Sequence, residues 1–592
     1  MVSSDCTIDH ATLKCSLRGK ATTSSVQFRN LQYATVPARF QASIPNDSLK
    51  AGSNGVFDAT KFGPSCPQHR GAQAWDLGLV GNVKLPCEPG QGDMAHMDEF
   101  ECLHVNVTVP KDALKTSATS RRQHGLPVFV WVHGGGLGLG SNNWPQYDLQ
   151  KLVDRSVEID QPMIAVAMNY RLGLFGFAAH HELSAQGNMG FKDQVLAFRW
   201  VRKHIAGFGG DASNVTAAGE SAGAISVSTL LCAQEDMGGS STTQALFDRA
   251  IVMSGDMTLR KPRNQSWHEQ MYKEQAALLA TDTADSEPHG LKTKLQATDA
   301  ESLAQQLPLM QHYSGHVDGT WLTRDVMPST LADPRRIEHK PAWCKELVTG
   351  DTIHDGTILQ SRILDTPDVL DRLRAACTKH LSQQEASSLF SAYKLNPNRS
   401  SSSTTTTTTT TTTTPTTPTP TPTSEQDPLK LLTLASELRF YDPVHRAHTG
   451  WTTSRPPKPC FRYHFHVPNP FDGAYQGLAS HELDVAFLLL HFNALMDAPH
   501  ARAATAMADH FIAYVNGGAW AARGQIVVFG AGGVREVDEG VYDAEYREGR
   551  GAVLHGMDAD RLWRVAEMWQ GVRSEDEDEE EEEQKQRVSG KL

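Results

Sequence analysis

The segment Gly219-Glu-Ser-Ala-Gly223 has the residue types of a turn that presents a reactive serine. A glycine stands two residues before Ser221 and another two residues after it, which lets the chain fold sharply past itself. A short apolar run precedes the turn and residues 224–231 suit a helix, so the positive end of a helix dipole would lie at Ser221. The pattern predicts a nucleophile at Ser221, and an ordinary glycine turn is the alternative.

A second glycine-rich segment, His133-Gly-Gly-Gly-Leu137, directly follows the apolar run at residues 127–132. Acyl transfer passes through a tetrahedral oxyanion that needs preorganised backbone N–H donors, and glycines let the backbone approach it. We therefore predict an oxyanion hole formed by the N–H groups of Gly135, Gly136 and Ala222. The alternatives are a flexible loop and a phosphate-binding loop, but the latter would need a Gly-Lys-Ser/Thr sequence that does not follow here.

The elements that must position these residues are short apolar runs that alternate with helix-like segments. The runs at residues 127–132, 163–168 and 250–253 are continuous, as expected of strands buried on both faces. Residues 194–201 have helical spacing instead. This alternation predicts the α/β class, with a mostly parallel central sheet flanked by helices.

The composition fits a soluble globular protein with a sizeable core, because 39% of the 592 residues are hydrophobic and 21% are charged. Removing the nine consecutive acids at residues 575–583 from the net charge of −13 leaves −4. We expect residues 574–592 to form a disordered acidic tail, whose partner the sequence does not identify. No basic stretch lies beside aromatic residues, so we expect no nucleic-acid partner.

The nine cysteines are scattered without a Cys-x-x-Cys pair, which predicts neither a metal site nor a dense disulfide framework. We also expect no cofactor. No window of about 18 apolar residues occurs, so we expect no membrane span. The first residues contain no apolar stretch of signal-peptide length, which indicates a cytoplasmic protein.

Several blocks of sequence, in one order, resemble the type-B carboxylesterase/lipase family, which includes the cholinesterases. The resemblance extends from about residue 25 to about residue 570 and suggests a carboxylesterase of fungal type. It implies the α/β-hydrolase fold. The blocks are residues 101–107 (ECLHVNV), 169–177 (NYRLGLFGF), 187–194 (GNMGFKDQ), 208–211 (FGGD) and 219–223 (GESAG).

The resemblance implies two partners for Ser221. The family's acid precedes a glycine in a turn after the serine, and Asp355 in Gly350-Asp-Thr-Ile-His-Asp-Gly356 has that place. Asp351 is the alternative acid, about one helical turn away. The histidine is His481, in a segment similar to the family's histidine loop, and the order serine, acid, histidine is that of α/β-hydrolases.

Residues 400–424 are serine, threonine and proline repeats that cannot bury apolar area. Taken alone, this tract fits either a linker between two domains or a loop within one domain. Because it lies between Asp355 and His481, we expect a disordered insertion in a single α/β-hydrolase domain that covers residues 1–573.

Further positions take their expected roles from the resemblance. Glu220, Ser226 and Asp484 lie where the family places a buried acid–serine–acid network beside the triad, although Glu220 also fits a simple turn residue and Asp484 a helix cap. His464 and His466 would share one face of a strand, and we expect both to be structural.

One position departs from the family pattern. The family has an acid there that pairs with the counterpart of Arg171, but this chain has Phe100. Either Glu99 or Asp98 substitutes for that acid, or the ion pair is lost.

Cys66 and Cys102 occupy the positions of the family's first disulfide, with Cys87 between them. A cytoplasmic protein would keep these thiols reduced. If the disulfide forms, secretion is the alternative location.

Together these residues predict a serine carboxylester hydrolase that cleaves a small or medium ester, a small-molecule substrate, through an acyl-enzyme intermediate. Trp75 lies too near Cys66 to match the tryptophan of choline selectivity, and we expect a surface aromatic there. Residues 67–101, where a lipase lid would lie, show no clean amphipathic helix, so a lipase is an alternative rather than the first expectation. A non-catalytic binding protein of the same family is a further alternative.

Overall fold

The computed structural model describes residues 5–115, 125–233, 245–279, 288–309, 311–395 and 428–572. The predicted insertion at 400–424 and the predicted tail at 574–592 lie outside these residues. No helix in the described part of the chain is both long enough and apolar enough to cross a membrane.

The described strands include short edge and hairpin strands as well as the long strands of the core. They are β1 (Cys6–His10), β2 (Cys15–Ala21), β3 (Ser25–Gln32), β4 (Ala34–Thr35), β5 (Ile44–Pro45), β6 (Val56–Ala59), β7 (His104–Pro110), β8 (Leu126–Val132), β9 (Ile164–Met168), β10 (Ala179–His180), β11 (Ala185–Gln186), β12 (Gly210–Glu220), β13 (Arg249–Met253), β14 (Glu346–Thr352), β15 (Cys460–Phe465), β16 (Ile526–Gly530) and β17 (Gly533–Val537).

The main sheet has the order β1-β2-β3-β7-β9-β8-β12-β13-β14-β15-β16-β17, with β6 beside β2. Every pairing from β9 through β16 is parallel, and the outer pairings β3–β7, β7–β9 and β16–β17 are antiparallel. The predicted α/β class is therefore confirmed, and the three apolar runs noted in the sequence are the strands β8, β9 and β13.

Helices cover both faces of this sheet. They are α1 (Ala72–Val80), α2 (Gln150–Glu158), α3 (Gly173–Phe177), α4 (Met189–His204), α5 (Ala222–Cys232), α6 (Gln265–Leu279), α7 (Pro288–Ala297), α8 (Ala300–Gln306), α9 (Pro328–Ala332), α10 (Gln360–Ile363), α11 (Val369–His380), α12 (Gln383–Ala392), α13 (Pro428–Ser436), α14 (Asp442–Thr452), α15 (Leu483–Leu488), α16 (Ala498–Val515), α17 (Glu539–Tyr546), α18 (Arg550–His555) and α19 (Ala559–Trp569).

Strand β8 shows why its sequence is apolar throughout. Val128, Val130 and Val132 pack into the core that contains α4 and α5, whereas Phe129 and Trp131 pack into the core that contains α2 and α16. Successive side chains of a strand point to opposite faces, so a sheet covered on both sides needs apolar residues at every position.

The parallel strands bring their carboxyl ends to one edge of the sheet. In open α/β sheets this edge is where loops form a binding crevice. The loops after β8, β12, β14 and β15 carry the predicted oxyanion segment, Ser221, Asp355 and His481, respectively. The fold thus collects at one edge residues that are far apart in the sequence.

Candidate active site

Ser221 stands at the turn between β12, which ends at Glu220, and α5, which begins at Ala222. Its backbone has φ 52° and ψ −117°, a conformation that L-residues rarely adopt and that is commonly found at functional sites. A Cβ on Gly223 would lie 2.0 Å from the carbonyl oxygen of Val132. Glycine is therefore required there to let the turn pack against β8.

The loop after β8 has the geometry expected of a backbone donor loop. Gly135 and Gly136 have φ of 99° and 58°, and a Cβ on Gly135 would lie 2.4 Å from the carbonyl oxygen of Leu139. The N–H groups of Gly138 and Leu139 both donate to the carbonyl of Gly135, at 3.1 and 2.9 Å. Only glycine tolerates this combination of left-handed backbone and close approach.

His481 and Asp355 form a buried pair. The Nδ1 atom of His481 donates to Oδ1 of Asp355 at 2.7 Å, and Oδ2 of Asp355 accepts the backbone N–H of Thr352 at 2.8 Å. The backbone N–H of His481 donates to the hydroxyl of Thr357 at 3.0 Å. Asp355 and Thr357 belong to one short 3₁₀ helix directly after β14, so this turn holds the histidine from two sides.

Asp351, the alternative acid of the sequence analysis, has other partners. It lies within β14 opposite His464 of β15, to which it is hydrogen-bonded, and it accepts Nη2 of Arg547 at 3.1 Å. His466 contacts the hydroxyl of Tyr542 at 3.0 Å. Both strand histidines are thus held by structural contacts away from Ser221.

Carboxyl groups surround the other nitrogen of His481. Oε1 of Glu220 lies 3.1 Å from Nε2, and Tyr147 donates its hydroxyl to Glu482 at 3.1 Å and to Asp76 at 3.0 Å. Burial and the charge of Glu482 raise the pKa of Glu220 well above its usual range, and the same two causes raise the pKa of Asp76. Burial and the neighbouring charge thus favour the protonated form of the Glu220 carboxyl.

The pKa of His481 is set by two opposed effects. Burial lowers it, but the hydrogen bond to Asp355, the charge of Asp355, and the charges of Glu482 and Asp484 together raise the pKa above its usual value. Glu482 and Asp76 were missed in the sequence. Glu482 adjoins the histidine, but adjacency alone does not show which way a side chain points.

The three residues of the predicted acid–serine–acid network are all buried. The hydroxyl of Ser226 donates to the carbonyl of Ala222 at 2.8 Å and accepts Nε2 of Gln194 at 3.0 Å. Asp484 accepts the hydroxyl of Tyr463 at 2.9 Å, and burial together with Asp355 raises its pKa to about 7. These hydrogen bonds do not link Ser226 or Asp484 directly to Glu220, and the network stays a prediction.

Neither Glu99 nor Asp98 substitutes for the missing acid at Phe100, so the ion pair of the family pattern is lost. Asp193 of α4 binds Arg171 through two hydrogen bonds of 2.8 Å, and both side chains are buried. Glu99 instead accepts Nε of Arg39 at 2.7 Å. Arg171 therefore forms an ion pair, but with a residue in a different element.

All nine cysteines are free thiols, and Cys66 and Cys102 are both buried. The neighbouring Cys66 thiol, together with burial, raises the pKa of the Cys102 thiol well above its usual range. The disulfide between them, and the cytoplasmic or secreted location that depends on it, stay predictions.

A cavity of about 660 Å³ opens beside the serine. Ser221, His481, Gly135 and Gly136 all contribute to its walls. Trp75 of α1 also lines it and is half-buried, so the expectation of a surface aromatic is wrong. Residues 67–101, which we expect to contain no clean amphipathic helix, contain the short helix α1, and α1 presents Trp75 and Asp76 to the cavity.

This fold, with a serine turn after a central strand and an acid–histidine pair at the same sheet edge, defines an α/β-hydrolase. The Carboxylesterase family pattern matches residues 10–518, and the chain belongs to that family.

Curated relatives include fungal lipases and a bacterial esterase. The chain is 36% identical over 265 residues to Lipase 3 of Yarrowia lipolytica, an alignment that covers 44% of this chain and 47% of the lipase. It is 30% identical over 383 residues to Lipase 2 of Diutina rugosa, covering 62% and 66%, respectively. The para-nitrobenzyl esterase of Bacillus subtilis is 35% identical over 234 residues, covering 39% and 40%. The chain thus spans between about two fifths and two thirds of these relatives.

Solved structures show the same fold over almost the whole chain. A PNB esterase superposes with a TM-score of 0.63 at 21% identity, covering 92% of this chain and 99% of the esterase. A Geobacillus stearothermophilus carboxylesterase gives a TM-score of 0.63 at 22% identity and the same coverage.

Proposed function

We propose that the protein is a serine carboxylester hydrolase that cleaves small or medium esters through an acyl-enzyme. The observation that carries this proposal is one cavity that holds Ser221 in a strained turn, the Gly135–Gly136 loop, and a histidine bonded to a buried carboxylate. The carboxylesterase family membership and the lipase and esterase relatives support it.

In the proposed reaction His481 is the general base. Asp355 fixes the tautomer in which Nδ1 carries the proton, so Nε2 is left to accept the proton of the Ser221 hydroxyl. Asp355 then stabilises the imidazolium as the serine oxygen attacks the ester carbonyl.

The backbone N–H groups of Gly135, Gly136 and Ala222 are proposed to bind the resulting oxyanion. His481 returns its proton to the leaving alcohol, and Ser221 keeps the acyl group. Water then attacks the acyl-enzyme by the same route, with His481 again as base, and releases the carboxylic acid. No metal or cofactor takes part in these steps.

Replacing the nucleophile tests the proposal directly. We expect Ser221→Ala to lower kcat for a 4-nitrophenyl ester by about 10⁶-fold. The wild type should bind one equivalent of an organophosphate covalently, and the alanine variant none. Unchanged ester hydrolysis by the alanine variant would remove Ser221 from the reaction, and a wild type with neither activity nor labelling would favour a non-catalytic binding protein.

A lipase is the second candidate. The relatives include fungal lipases, and α1 lines the cavity through Trp75 and Asp76. A series of 4-nitrophenyl esters of increasing acyl length distinguishes an esterase from a lipase. An esterase has its highest kcat/KM with short dissolved esters, whereas a lipase gains activity with long chains above their solubility limit.

We also propose that residues 1–573 form a single domain, with the 400–424 tract as an insertion. The family match runs across the tract, and Asp355 and His481 stand on either side of it. Deleting residues 400–424 should leave kcat/KM unchanged, whereas a linker between two domains would let the two halves be expressed and purified separately.

A further inference from the structure

The cavity beside Ser221 has a basic wall that the proposed reaction does not use. Arg260 and Arg362 line the cavity together with Ser221. A Cβ on Gly136 would lie 2.8 Å from Nη2 of Arg260, so this guanidinium lies directly against the predicted oxyanion loop. A positive group is thus held within a few atoms of where the ester carbonyl would bind.

Arg260 is half-buried and differs from the buried arginines Arg171 and Arg263 in its partners. Its Nη1 donates to the carbonyls of Tyr313 and Gln311, at 3.1 and 3.4 Å. Within the described part of the chain, no carboxylate lies within 4.0 Å of its side-chain nitrogens. By contrast, Arg263 pairs with Glu567 at 2.6 Å, and Arg171 pairs with Asp193 at 2.8 Å.

The surroundings of Arg260 make its charge costly. Burial and the charge of Arg362 lower the pKa of Arg260 to about 9, and burial with the same arginines lowers the pKa of His312 well below its usual range. A half-buried positive charge without a counter-ion favours the binding of an anion, because the anion supplies the missing electrostatic partner.

Carboxyl groups also line the cavity. Asp76 and Glu482 line it near His481, with Glu220 behind them. The charge of Glu482 repels an anionic ligand group, whereas the charge of Arg260 attracts it, so the two side chains together would orient a charged substrate.

We propose that the cavity takes esters that carry a carboxylate, and that Arg260 binds this carboxylate and determines the specificity. A guanidinium presents two parallel N–H groups that match a carboxylate, and Nη1 of Arg260 is already held by its two carbonyls. This inference rests on the proposed ester hydrolysis at Ser221. The inference assigns a substrate class to that hydrolysis, namely monoesters of dicarboxylic acids or esters of carboxylate-bearing alcohols.

Two pairs of dissolved esters test the proposal in the wild type. The first pair is 4-nitrophenyl hemiglutarate and the neutral 4-nitrophenyl pentanoate, which places the carboxylate on the acyl side. The second pair is the butyrate ester of 4-hydroxybenzoate and that of 4-hydroxyacetophenone, which places it on the alcohol side. We expect kcat/KM to be at least tenfold higher for the charged member of one pair, and that pair identifies the side that Arg260 contacts.

Substitution of the arginine then separates specificity from catalysis. Arg260→Gln should lower kcat/KM for the favoured charged ester about 10- to 100-fold, mainly through KM, and change the neutral ester less than threefold. Arg260→Lys should recover part of the loss. Arg335→Gln, which removes the same charge at a side chain that is 87% exposed, is the matched control and should change neither ester.

Glutarate provides a readout that does not depend on any variant folding. It should inhibit hydrolysis of the neutral ester competitively in the wild type. Faster hydrolysis of the neutral member of both pairs, or an equal loss for charged and neutral esters in Arg260→Gln, would overturn the proposal. Either result leaves ester hydrolysis intact, whereas absence of hydrolysis of every ester would contradict the proposed function itself.

Discussion

The nucleophile region and the acid–histidine region of the cavity are built in different ways. Ser221 and the Gly135–Gly136 loop get their geometry from consecutive residues, since each turn directly follows a strand and depends on its own glycines. Asp355 and His481 are separated by 126 positions in the sequence and meet only because β14 and β15 are neighbours in the sheet. One half of the site is therefore a property of local backbone, and the other half is a property of strand order.

Exchanging the two acids near β14 for amides, one at a time, tests how the acid–histidine region is built. Asp355→Asn removes the acceptor that fixes the tautomer of His481, and we expect kcat for a neutral nitrophenyl ester to fall about 10⁴-fold with little change in Tm. Asp351→Asn, the matched variant, should keep most of the activity but destabilise the fold by about 3–5 kcal/mol, because it breaks a buried ion pair with Arg547. Steady-state kinetics and thermal unfolding check both. The reverse pattern would make Asp351 the functional acid.

One added methyl group tests the nucleophile region, whose geometry depends on local backbone. In Gly223→Ala the new Cβ would lie 2.0 Å from the backbone oxygen of Val132, so β8 and the loop after it must shift. We expect kcat to fall about 10²–10³-fold through the disturbed oxyanion donors, and stability to fall by about 1–3 kcal/mol. Gly530→Ala is the control, since a Cβ there meets no atom within 4 Å. A fully active Gly223→Ala enzyme would show that the turn does not need its glycine.

The smallest expected effect concerns the acids around the histidine. Hydrolysis needs neutral His481, so activity is lost as pH falls through its raised pKa. Glu482→Gln removes one of the negative charges that raise this pKa, so the acidic limb of the kcat/KM profile should move to lower pH. Glu158→Gln, at an exposed carboxylate, should leave the profile in place. A shift to higher pH in Glu482→Gln would contradict the assignment.

Much of the fold and part of the site follow from sequence patterns alone. The continuous apolar runs predict the buried parallel strands, because a sheet covered by helices on both faces leaves no position for polar side chains. Glycines at fixed offsets from Ser221, and the glycines after β8, predict two tight loops because no other residue fits the observed φ and the close backbone contacts.

The catalytic acid, the ion-pair partners and the side chains that line the cavity depend on the register between strands and on which loops lie next to each other. Asp351 and Asp355 are both candidate acids in the sequence, but Asp351 falls inside β14 opposite His464, whereas Asp355 falls beyond the strand end, where it meets His481. Likewise, Asp193 rather than Glu99 pairs with Arg171. Trp75 and Arg260 line the cavity. In both cases the packing of helices and loops brings together residues whose spacing in the sequence gives no sign of the contact. The sequence by itself determined the backbone turns, since their constraints act between adjacent residues. Only the tertiary structure decided the charged partners, since an ion pair depends on distance in space and not along the chain.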